Sequence, residues 1–223
     1  MRLYLASTSP ARLALLRSAG IEPVVLPSSV DEPAAVVAAE QDRGPLSPEE
    51  MVLLLARLKA EAVAAGTPDL DGLVLGGDSA FELDGIAYGK PHESHVARER
   101  WRLQRGRTGS LHSGHWLIDV RADREPHAVG AVATATVTFA DDLTDAELDA
   151  YIATGEPLEV AGAFTLDSLG GPFITRIEGD PSTVVGLSLP TLRRLLGQLD
   201  VALPELWNRM PGAASASPPP VSL

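Results

Sequence analysis

The sequence predicts a fold of the α/β class, and three observations lead to that prediction. Apolar stretches typical of strands alternate along the chain with segments whose apolar residues recur at helical spacing. The segments Ser47-Pro48-Glu49-Glu50 and Thr144-Asp145-Ala146-Glu147 are capping boxes, which mark helix starts. Between Val132 and Thr138 the residue types alternate, as they do in a half-buried strand.

The remaining elements follow from apolar periodicity, caps and turn residues. Ser9 is a good N-cap and Pro10 suits a first helical position, whereas Asp84-Gly85 is a hairpin turn signal. The last helix carries a leucine stripe from Leu192 to Leu199. In order, the predicted elements are strand 3–5, a helix from residue 10, strand 22–26, a helix from residue 48, strand 73–75 ending in Gly76-Gly77-Asp78-Ser79, hairpin 81–88, helix 93–104, strands 111–120 and 128–139, a helix from residue 145, a glycine-rich loop and strand over 162–180, and helix 189–199.

Composition limits the function. The 223 residues, 45% of them hydrophobic, suffice for one large domain or two small lobes. Eighteen basic and thirty acidic residues give a net charge of −12, which disfavours a nucleic-acid surface but leaves room for a small anionic substrate in a local basic pocket. The absence of cysteine excludes disulfides, thiol catalysis and cysteine-ligated zinc.

The chain is expected to be soluble and cytoplasmic. It has no apolar run long enough to span a bilayer, and its start lacks the basic region of a signal peptide. One domain is predicted over residues 1–205, followed by an extension over 206–223. The extension is rich in Ala, Ser and Pro from Gly212 and is expected to be disordered there.

The run from Leu5 to Arg12 combines a strand end, several hydroxyls and a helix start. A helix start exposes unpaired N–H groups and a partial positive charge, so together with Arg12 it forms a plausible cradle for phosphate. On local sequence alone, an ordinary capped strand-to-helix turn is the better interpretation.

Several charged residues follow predicted strands. Asp31 and Glu32 follow the second strand, Asp78 follows the third, and Lys90 lies in Gly-Lys-Pro. Each alone is most often a cap or loop residue, but ligands of open α/β sheets bind outside strand ends. Carboxylates there can hold Mg²⁺ or activate water, and cations can neutralise phosphate charge. Lys59, one residue past Leu58, either snorkels from the core edge or reaches this site.

Other catalytic motifs are missing from the sequence. It contains no Walker A loop, no dinucleotide-binding glycine fingerprint, no nucleophile elbow and no zinc-protease motif. His112 and His115 fall in a predicted strand, where their spacing puts them on opposite faces. All five histidines are interpreted as surface residues: His92, His95, His112, His115 and His127.

A series of motifs resembles the Maf family of nucleoside triphosphate pyrophosphatases, in the family's order and over nearly the whole chain to about Leu199. The series consists of Leu5-Ala6-Ser7-Thr8-Ser9-Pro10-x-Arg12, Val30-Asp31-Glu32, the Lys59 helix, Gly77-Asp78-Ser79, Gly89-Lys90-Pro91, Gly155-Glu156-Pro157, Ala161-Gly162-Ala163-Phe164 and Gly179-Asp180-Pro181. The resemblance implies a mixed, twisted sheet flanked by helices, with two lobes and a central cleft, similar to inosine triphosphate pyrophosphatases.

The resemblance also implies the site. Asp78 is expected to accept the proton of the attacking water, and Glu32 to assist with metal or water. A divalent cation, Mg²⁺ or Mn²⁺, is expected on Glu32 and Asp78, without a division of the two roles between them. The substrate would be a nucleoside triphosphate, cut to a nucleoside monophosphate and pyrophosphate. The residues expected to bind it are Ser7, Ser9, Arg12, Lys59 and Lys90.

Three positions that distinguish branches of the family correspond to Ala11, Ser79 and Asp167. The branch that resembles a dTTP and UTP pyrophosphatase carries Arg, Thr and Gln there, and the branch acting on 7-methyl-GTP carries Trp, Gln and Glu. This chain matches neither set. Because Ala11 removes a hydrogen-bond donor and leaves room, relaxed discrimination between bases is a hypothesis for this chain.

Two other functions stay open at this stage. The first is a non-catalytic nucleotide-binding regulator of septum formation, which the set of Asp78, Glu32 and Lys90 disfavours. The second is a nucleic-acid-binding module, which the charge of −12 disfavours. Neither a homodimer nor a monomer is indicated by the residues, and clearing non-standard nucleotides is suggested by the resemblance alone.

Overall fold

The computed structural model describes residues 1–208 and shows helices and strands that alternate along the chain. In chain order they are β1 (Leu3–Ala6), α1 (Pro10–Ser18), β2 (Val24–Val25), α2 (Glu32–Arg43), α3 (Pro48–Gly66), β3 (Leu73–Leu83), β4 (Ile86–Tyr88), α4 (Ser94–Gln104), β5 (Thr108–Asp119), β6 (His127–Phe139), α5 (Asp145–Ala153), β7 (Ile174–Glu178), α6 (Pro181–Val185) and α7 (Leu189–Gln198). Short 3₁₀ turns occupy Glu156–Glu159, Ala161–Ala163, Gly171–Phe173 and Leu203–Leu206.

All seven strands form one mixed sheet. Its order is β2-β1-β3-β5-β6-β7, and β4 pairs with β3 outside that path. Strand β1 is parallel to β2 and β3, whereas the other pairs are antiparallel. The α/β class and the mixed sheet flanked by helices are therefore confirmed. So are the long antiparallel strands β5 and β6, and both capping boxes close as predicted.

The apolar core is divided between the two ends of β3. Near the start of β3, Leu75 packs with Leu5 and with the predicted leucine stripe of α7, while Val74 packs on the opposite face of the sheet. Near its end, Phe81 packs with Trp101 and Phe139. Residues 76–79 belong to none of these clusters, so a polar segment separates two apolar lobes.

The prediction that the third strand ends at Gly76 is wrong, because β3 continues to Leu83. The two glycines do not break the strand but allow close packing. A Cβ atom on Gly76 would lie 2.0 Å from the Ala56 carbonyl oxygen of α3, and one on Gly77 would lie 3.1 Å from Arg12 Nε. Asp78 is therefore in mid-strand, although β1 pairs with β3 only as far as Ala6 opposite Gly76. The polar segment still lies at the carboxyl end of β1.

Helix α2 is not among the elements predicted from the sequence. Asp31 caps it by accepting a hydrogen bond from the Ala34 N–H at 3.1 Å, and Pro33 lies in its first turn. None of its residues is fully buried, so α2 lacks the apolar stripe by which the other helices are detected. Asp31 and Glu32, predicted to follow the second strand, are thus the cap and the first residue of a helix.

The interpretation of all histidines as surface residues is wrong for two of them. His112 and His115 are 2% and 0% exposed in β5. They do lie on opposite faces: His112 contacts Glu49 of α3, whereas His115 contacts Ser188 before α7. Both faces of the sheet are covered by helices here, and this covering buries the two histidines. The spacing of two residues within a strand shows which faces they lie on but not whether those faces are covered.

The chain end is described as far as Asn208. Leu206 is buried with the leucines of α7, at the boundary proposed between the domain and its extension. The segment from Gly212 that was expected to be disordered lies outside the described residues. Among residues 1–208, no helix has the length and apolar character needed to cross a membrane.

The packing of α3 on Gly76 gives the first prediction. Gly76→Ala should lower the free energy of unfolding by about 2–3 kcal/mol, because the new methyl group meets backbone atoms of α3 that cannot rotate away. Gly66→Ala is the control, since no atom lies within 4 Å of the added Cβ and alanine favours the helix. Urea unfolding measures both variants, and equal midpoints for Gly76→Ala and the wild type would contradict the packing argument.

Candidate active site

Lys59 joins two carboxylates at the centre of the polar segment. Its Nζ lies 2.7 Å from Asp78 Oδ1 and 2.8 Å from Glu32 Oε1. The three residues come from α3, β3 and the first turn of α2, so these charges meet only in the folded chain. The structure thereby brings together three of the residues singled out in the sequence.

The direction of Lys59 follows from the buried face of α3. Lys59 lies one turn beyond Leu55 and Ala56, and all three are on the side of α3 that faces the sheet. Asp78 lies two residues after Gly76 on β3, so both face α3. Of the two interpretations left open for Lys59, the structure supports the second, because the amine reaches the carboxylates and its side chain is only 10% exposed.

Arg12 forms the second cationic group of the site and is buried. Its Nε donates to the Gly186 carbonyl at 2.8 Å, Nη1 to Ser7 Oγ at 3.1 Å and Nη2 to Ser79 Oγ at 2.9 Å. A guanidinium has five N–H groups, so within residues 1–208 these three bonds leave one N–H group without a partner on each terminal nitrogen. The side chain is therefore fixed in one orientation while two donors remain for an anion.

A chain of hydroxyl groups supports Arg12 from behind. Ser79 Oγ lies 2.9 Å from Ser113 Oγ, and Ser113 donates to the Thr183 carbonyl at 3.0 Å. Because Arg12 must donate and the carbonyl must accept, the Ser79 hydroxyl donates to Ser113. Ser113 is fully buried. The sequence analysis does not identify it; only the register that pairs Ser79 with Ser113 would have indicated the contact.

The predicted cap at the start of α1 is present. Ser9 Oγ accepts from the Arg12 backbone N–H at 3.4 Å, and Ser7 Oγ accepts from the Ser9 N–H at 3.2 Å. Ser7 therefore contacts both the backbone turn and the Arg12 guanidinium. Ala11, the second residue of α1, is partly buried beside them.

Burial and charge act in opposite directions on the ionisable groups. Burial raises the pKa of Asp78, although Lys59 and Arg12 act to lower it and Glu32 acts to raise it. Burial lowers the pKa of Arg12, against the effect of Asp78 and Glu32. A carboxylate with a raised pKa is a stronger base than an exposed one, so Asp78 is suited to accept a proton from water.

His115 is a buried neutral residue beside this site. Its Nε2 accepts a hydrogen bond from the Ser188 backbone N–H at 2.8 Å, which fixes the neutral ring with the proton on Nδ1. Burial, reinforced by the charge of Arg12, lowers the pKa of His115 to about 4. The imidazole thus supports the start of α7 without adding charge.

Two other predicted site residues lie outside this cluster. The Lys90 side chain is 53% exposed, and its Nζ is 4.0 Å from Glu159 Oε2. Asp167 is exposed in the loop before the 3₁₀ turn Gly171–Phe173. Within residues 1–208, neither makes a hydrogen bond or ion pair to Arg12, Lys59 or Asp78.

The donor set fits a hard divalent cation. Glu32 and Asp78 each direct one oxygen to Lys59, and across residues 1–208 the second oxygen of each makes no hydrogen bond. Carboxylate oxygens are the ligands that Mg²⁺ prefers and that Mn²⁺ accepts. A separate set of metal-ligating side chains, Glu49, Glu82 and His112, lies elsewhere on the sheet.

Comparisons with known proteins agree on one family. A family model described as Maf-like protein matches residues 2–199. A protein of Leifsonia xyli subsp. xyli named nucleoside triphosphate pyrophosphatase is 74% identical over 212 residues, covering 94% of this chain and 98% of that protein. A protein of the same name from Salinispora tropica is 52% identical over 229 residues, covering 99% and 96%.

Among solved structures, the Ham1 protein of Staphylococcus aureus resembles this chain with a TM-score of 0.36 and 16% identity. The match covers 63% of this chain and 73% of that one.

The lowered pKa of His115 predicts a pH-dependent stability. Because the folded value, about 4, is below the usual 6.5, the unfolded chain binds the proton first as the pH falls. The contribution of neutral His115 to the free energy of unfolding is complete above pH 6.5 and is lost as the pH falls from 6.5 to 4. The loss amounts to about 3 kcal/mol of unfolding free energy.

His115→Gln is the test, since glutamine can accept the Ser188 N–H but does not titrate. Urea unfolding between pH 7 and pH 4 should show a smaller loss of stability in the variant than in the wild type. If the free energy of unfolding fell equally with pH in the variant and in the wild type, His115 would not contribute to the pH dependence of stability.

Proposed function

Because this chain belongs to the family of Maf-like proteins, we propose that it hydrolyses nucleoside triphosphates to a nucleoside monophosphate and pyrophosphate. The observation that carries the proposal is the arrangement of Lys59 between Asp78 and Glu32, beside an Arg12 with two unused N–H groups. Cations for a polyphosphate and a buried carboxylate base for water are the two requirements of this reaction.

The proposed reaction begins with the substrate's phosphates at the start of α1. The free N–H groups of Arg12 and the amine of Lys59 neutralise phosphate charge in a site of reduced dielectric constant. Asp78 accepts a proton from water while the water oxygen bonds to the α-phosphorus. The bond from that phosphorus to the oxygen that bridges to the β-phosphorus breaks, and pyrophosphate leaves.

Glu32 and Asp78 would hold a divalent cation, Mg²⁺ or Mn²⁺, which when bound supplies positive charge at the phosphate oxygens. In the free protein Lys59 compensates both carboxylates. The flexible stem of Lys59 allows its amine to contact the carboxylates in the free protein and a phosphate when substrate is bound.

Lys90 and the three branch-distinguishing positions would complete substrate binding. The exposed, flexible Lys90 side chain would turn from Glu159 to the outer phosphates. The hydroxyl of Ser79 is already engaged by Arg12 and Ser113, so its influence on substrate choice would act through Arg12. With no donor on Ala11, we propose relaxed discrimination between bases, to which Asp167 would contribute from its loop.

We further propose that the protein acts in the cytoplasm on free nucleotides, including non-standard ones, rather than on nucleic acid. The net charge of −12 supports this, since an extended phosphate backbone needs clustered cations. A homodimer is compatible with the proposal, but no step requires a second copy.

The direct test is Asp78→Asn, assayed by pyrophosphate release from a panel of standard and modified triphosphates with Mg²⁺ or Mn²⁺. The variant keeps the size of the side chain but cannot accept the water proton, so kcat should fall by about 10²–10⁴-fold. Asp42→Asn, a matched change at an exposed position of α2, should leave kcat unchanged. Nucleotide binding without turnover in the wild type would instead support a non-catalytic regulator.

The hydroxyl chain behind Arg12 gives a further prediction. Ser113→Ala should lower kcat/KM by about tenfold, because Ser79 loses its acceptor and Arg12 its fixed orientation. Ser113→Thr retains the hydroxyl and should restore most of the loss, whereas Ser110→Ala on the same strand should have no effect. A Ser113→Ala enzyme with unchanged kcat/KM would mean that Arg12 does not depend on this chain.

A further inference from the structure

We infer that Glu49, Glu82 and His112 form a second metal site, one that goes beyond the proposed function and is separate from the Glu32–Asp78 pair. One ligand atom from each residue lies within 4.8 Å of the other two. The Glu49–Glu82–His112 cluster combines an imidazole with two carboxylates, which is a donor set for transition-metal dications.

Strand register and helix packing bring the three residues together. His112 of β5 pairs with Ala80 of β3, so Glu82, two residues further on, is its diagonal neighbour on the same face. Glu49 approaches from the first turn of α3. Asp78 is on this face too, but four residues along β3 from Glu82, or about 13 Å. His112, opposite Ala80, is a diagonal neighbour of Asp78 as well, but within residues 1–208 its ion-pairing distances are to Glu49 and Glu82 and not to Asp78 or Glu32. The two sites are therefore adjacent but have separate ligands.

The separations allow a shared ion on His112 Nε2. That nitrogen lies 2.8 Å from Glu82 Oε2, and one ligand atom of each of the three residues lies within 4.8 Å of the others. Glu49 Oε1 lies 3.4 Å from the other ring nitrogen, Nδ1, so the Glu49 side chain has to turn to join the ion. Metal bonds of about 2.0–2.2 Å place neighbouring ligand atoms roughly 3 Å apart. The glutamate side chains are 45% and 27% exposed, so they can adjust around an ion and give it access from solvent.

The charge of the cluster is unbalanced without a cation. Two carboxylates face a single imidazole that is 3% exposed, and within residues 1–208 neither Glu49 nor Glu82 pairs with a lysine or arginine. Thr134 Oγ1 lies 2.9 Å from His112 Nδ1 and orients the ring, as outer-shell partners of metal-bound histidines do. A dication would balance the two carboxylates.

The imidazole decides the class of metal. Oxygen-only sites suit Mg²⁺ and Mn²⁺, whereas an imidazole ligand favours later transition-metal dications such as Zn²⁺, Co²⁺ or Ni²⁺. An ion here would tie the first turn of α3 to β3 and β5. Since α3 also carries Lys59, the site would stabilise the helix that positions the catalytic amine.

The experiment measures metal binding in full-length protein carrying Asp78→Asn and Glu32→Gln, so that the pair in the active site cannot contribute. Titration calorimetry with Zn²⁺ should show one equivalent bound to this background after metal is removed by chelation. Adding Glu49→Gln should weaken that binding by about tenfold or more. Glu61→Gln, the same change at an exposed position of α3, should not.

A second readout identifies the nitrogen ligand. The visible absorption of bound Co²⁺ should change on His112→Gln, and Zn²⁺ should raise the melting temperature of the background but not of its Glu49→Gln derivative. Absence of Zn²⁺ binding in the background, or equal binding by Glu49→Gln and Glu61→Gln, would overturn the site and leave only contacts between these side chains. Because the background lacks the catalytic carboxylates, that failure would not bear on pyrophosphate release.

Discussion

The close packing of α3 against the sheet is the constraint on which the rest of the structure depends. A Cβ atom on Gly76 of β3 or on Gly114 of β5 would overlap the backbone of α3, so only glycine permits this distance. The same approach brings the Lys59 amine within 2.7 Å of Asp78. If α3 lay further from the sheet, the Lys59 amine could not reach Asp78 and would turn towards water instead. Asp78 would then be buried without a compensating positive charge.

The polar segment between the two lobes contains equal numbers of cationic and anionic side chains. Arg12 and Lys59 oppose Asp78 and Glu32, so the free site is neutral although most of it is buried. Burying these groups is costly unless their charges are compensated. Lys59 pairs with both carboxylates, whereas Arg12 is held by three hydrogen bonds to the neutral groups of Ser7, Ser79 and Gly186. A bound triphosphate would add negative charge to a neutral site. In the proposed function, the accompanying divalent cation and the exposed Lys90 would offset most of that charge.

Local signals in the sequence predicted the elements well but not their partners. The caps at Ser9, Ser47 and Thr144 form as expected, since they depend on residues three positions apart. Helix α2 was missed although Asp31 caps it and Pro33 lies in its first turn, the same local signals that marked the starts of α1 and α3. The continuation of β3 through Gly76 was missed because a glycine in a strand is read as a break, whereas here it faces a helix. The contact of Ser113 with Ser79 depends on strand register, which no local signal encodes.

Strand β5 shows why the chemistry depends on long-range pairing. Its residues alternate between two packed faces: His112 and Gly114 meet α3, whereas Ser113 and His115 meet the segments around α6 and α7. On an exposed strand the histidines and Ser113 would bond to water, and no particular contact with another element would result. Enclosed on both sides, most of these groups have partners, because an unpaired buried polar group is costly; within residues 1–208 the Nδ1 of His115 is an exception. These contacts support the candidate site from both faces of the sheet. On one face, Ser113 holds Arg12 through the hydroxyl of Ser79; on the other, His112 and Gly114 contact α3, the helix that carries Lys59. The same enclosure that makes polar residues costly in β5 therefore fixes the geometry of Arg12 and Lys59 in the candidate site.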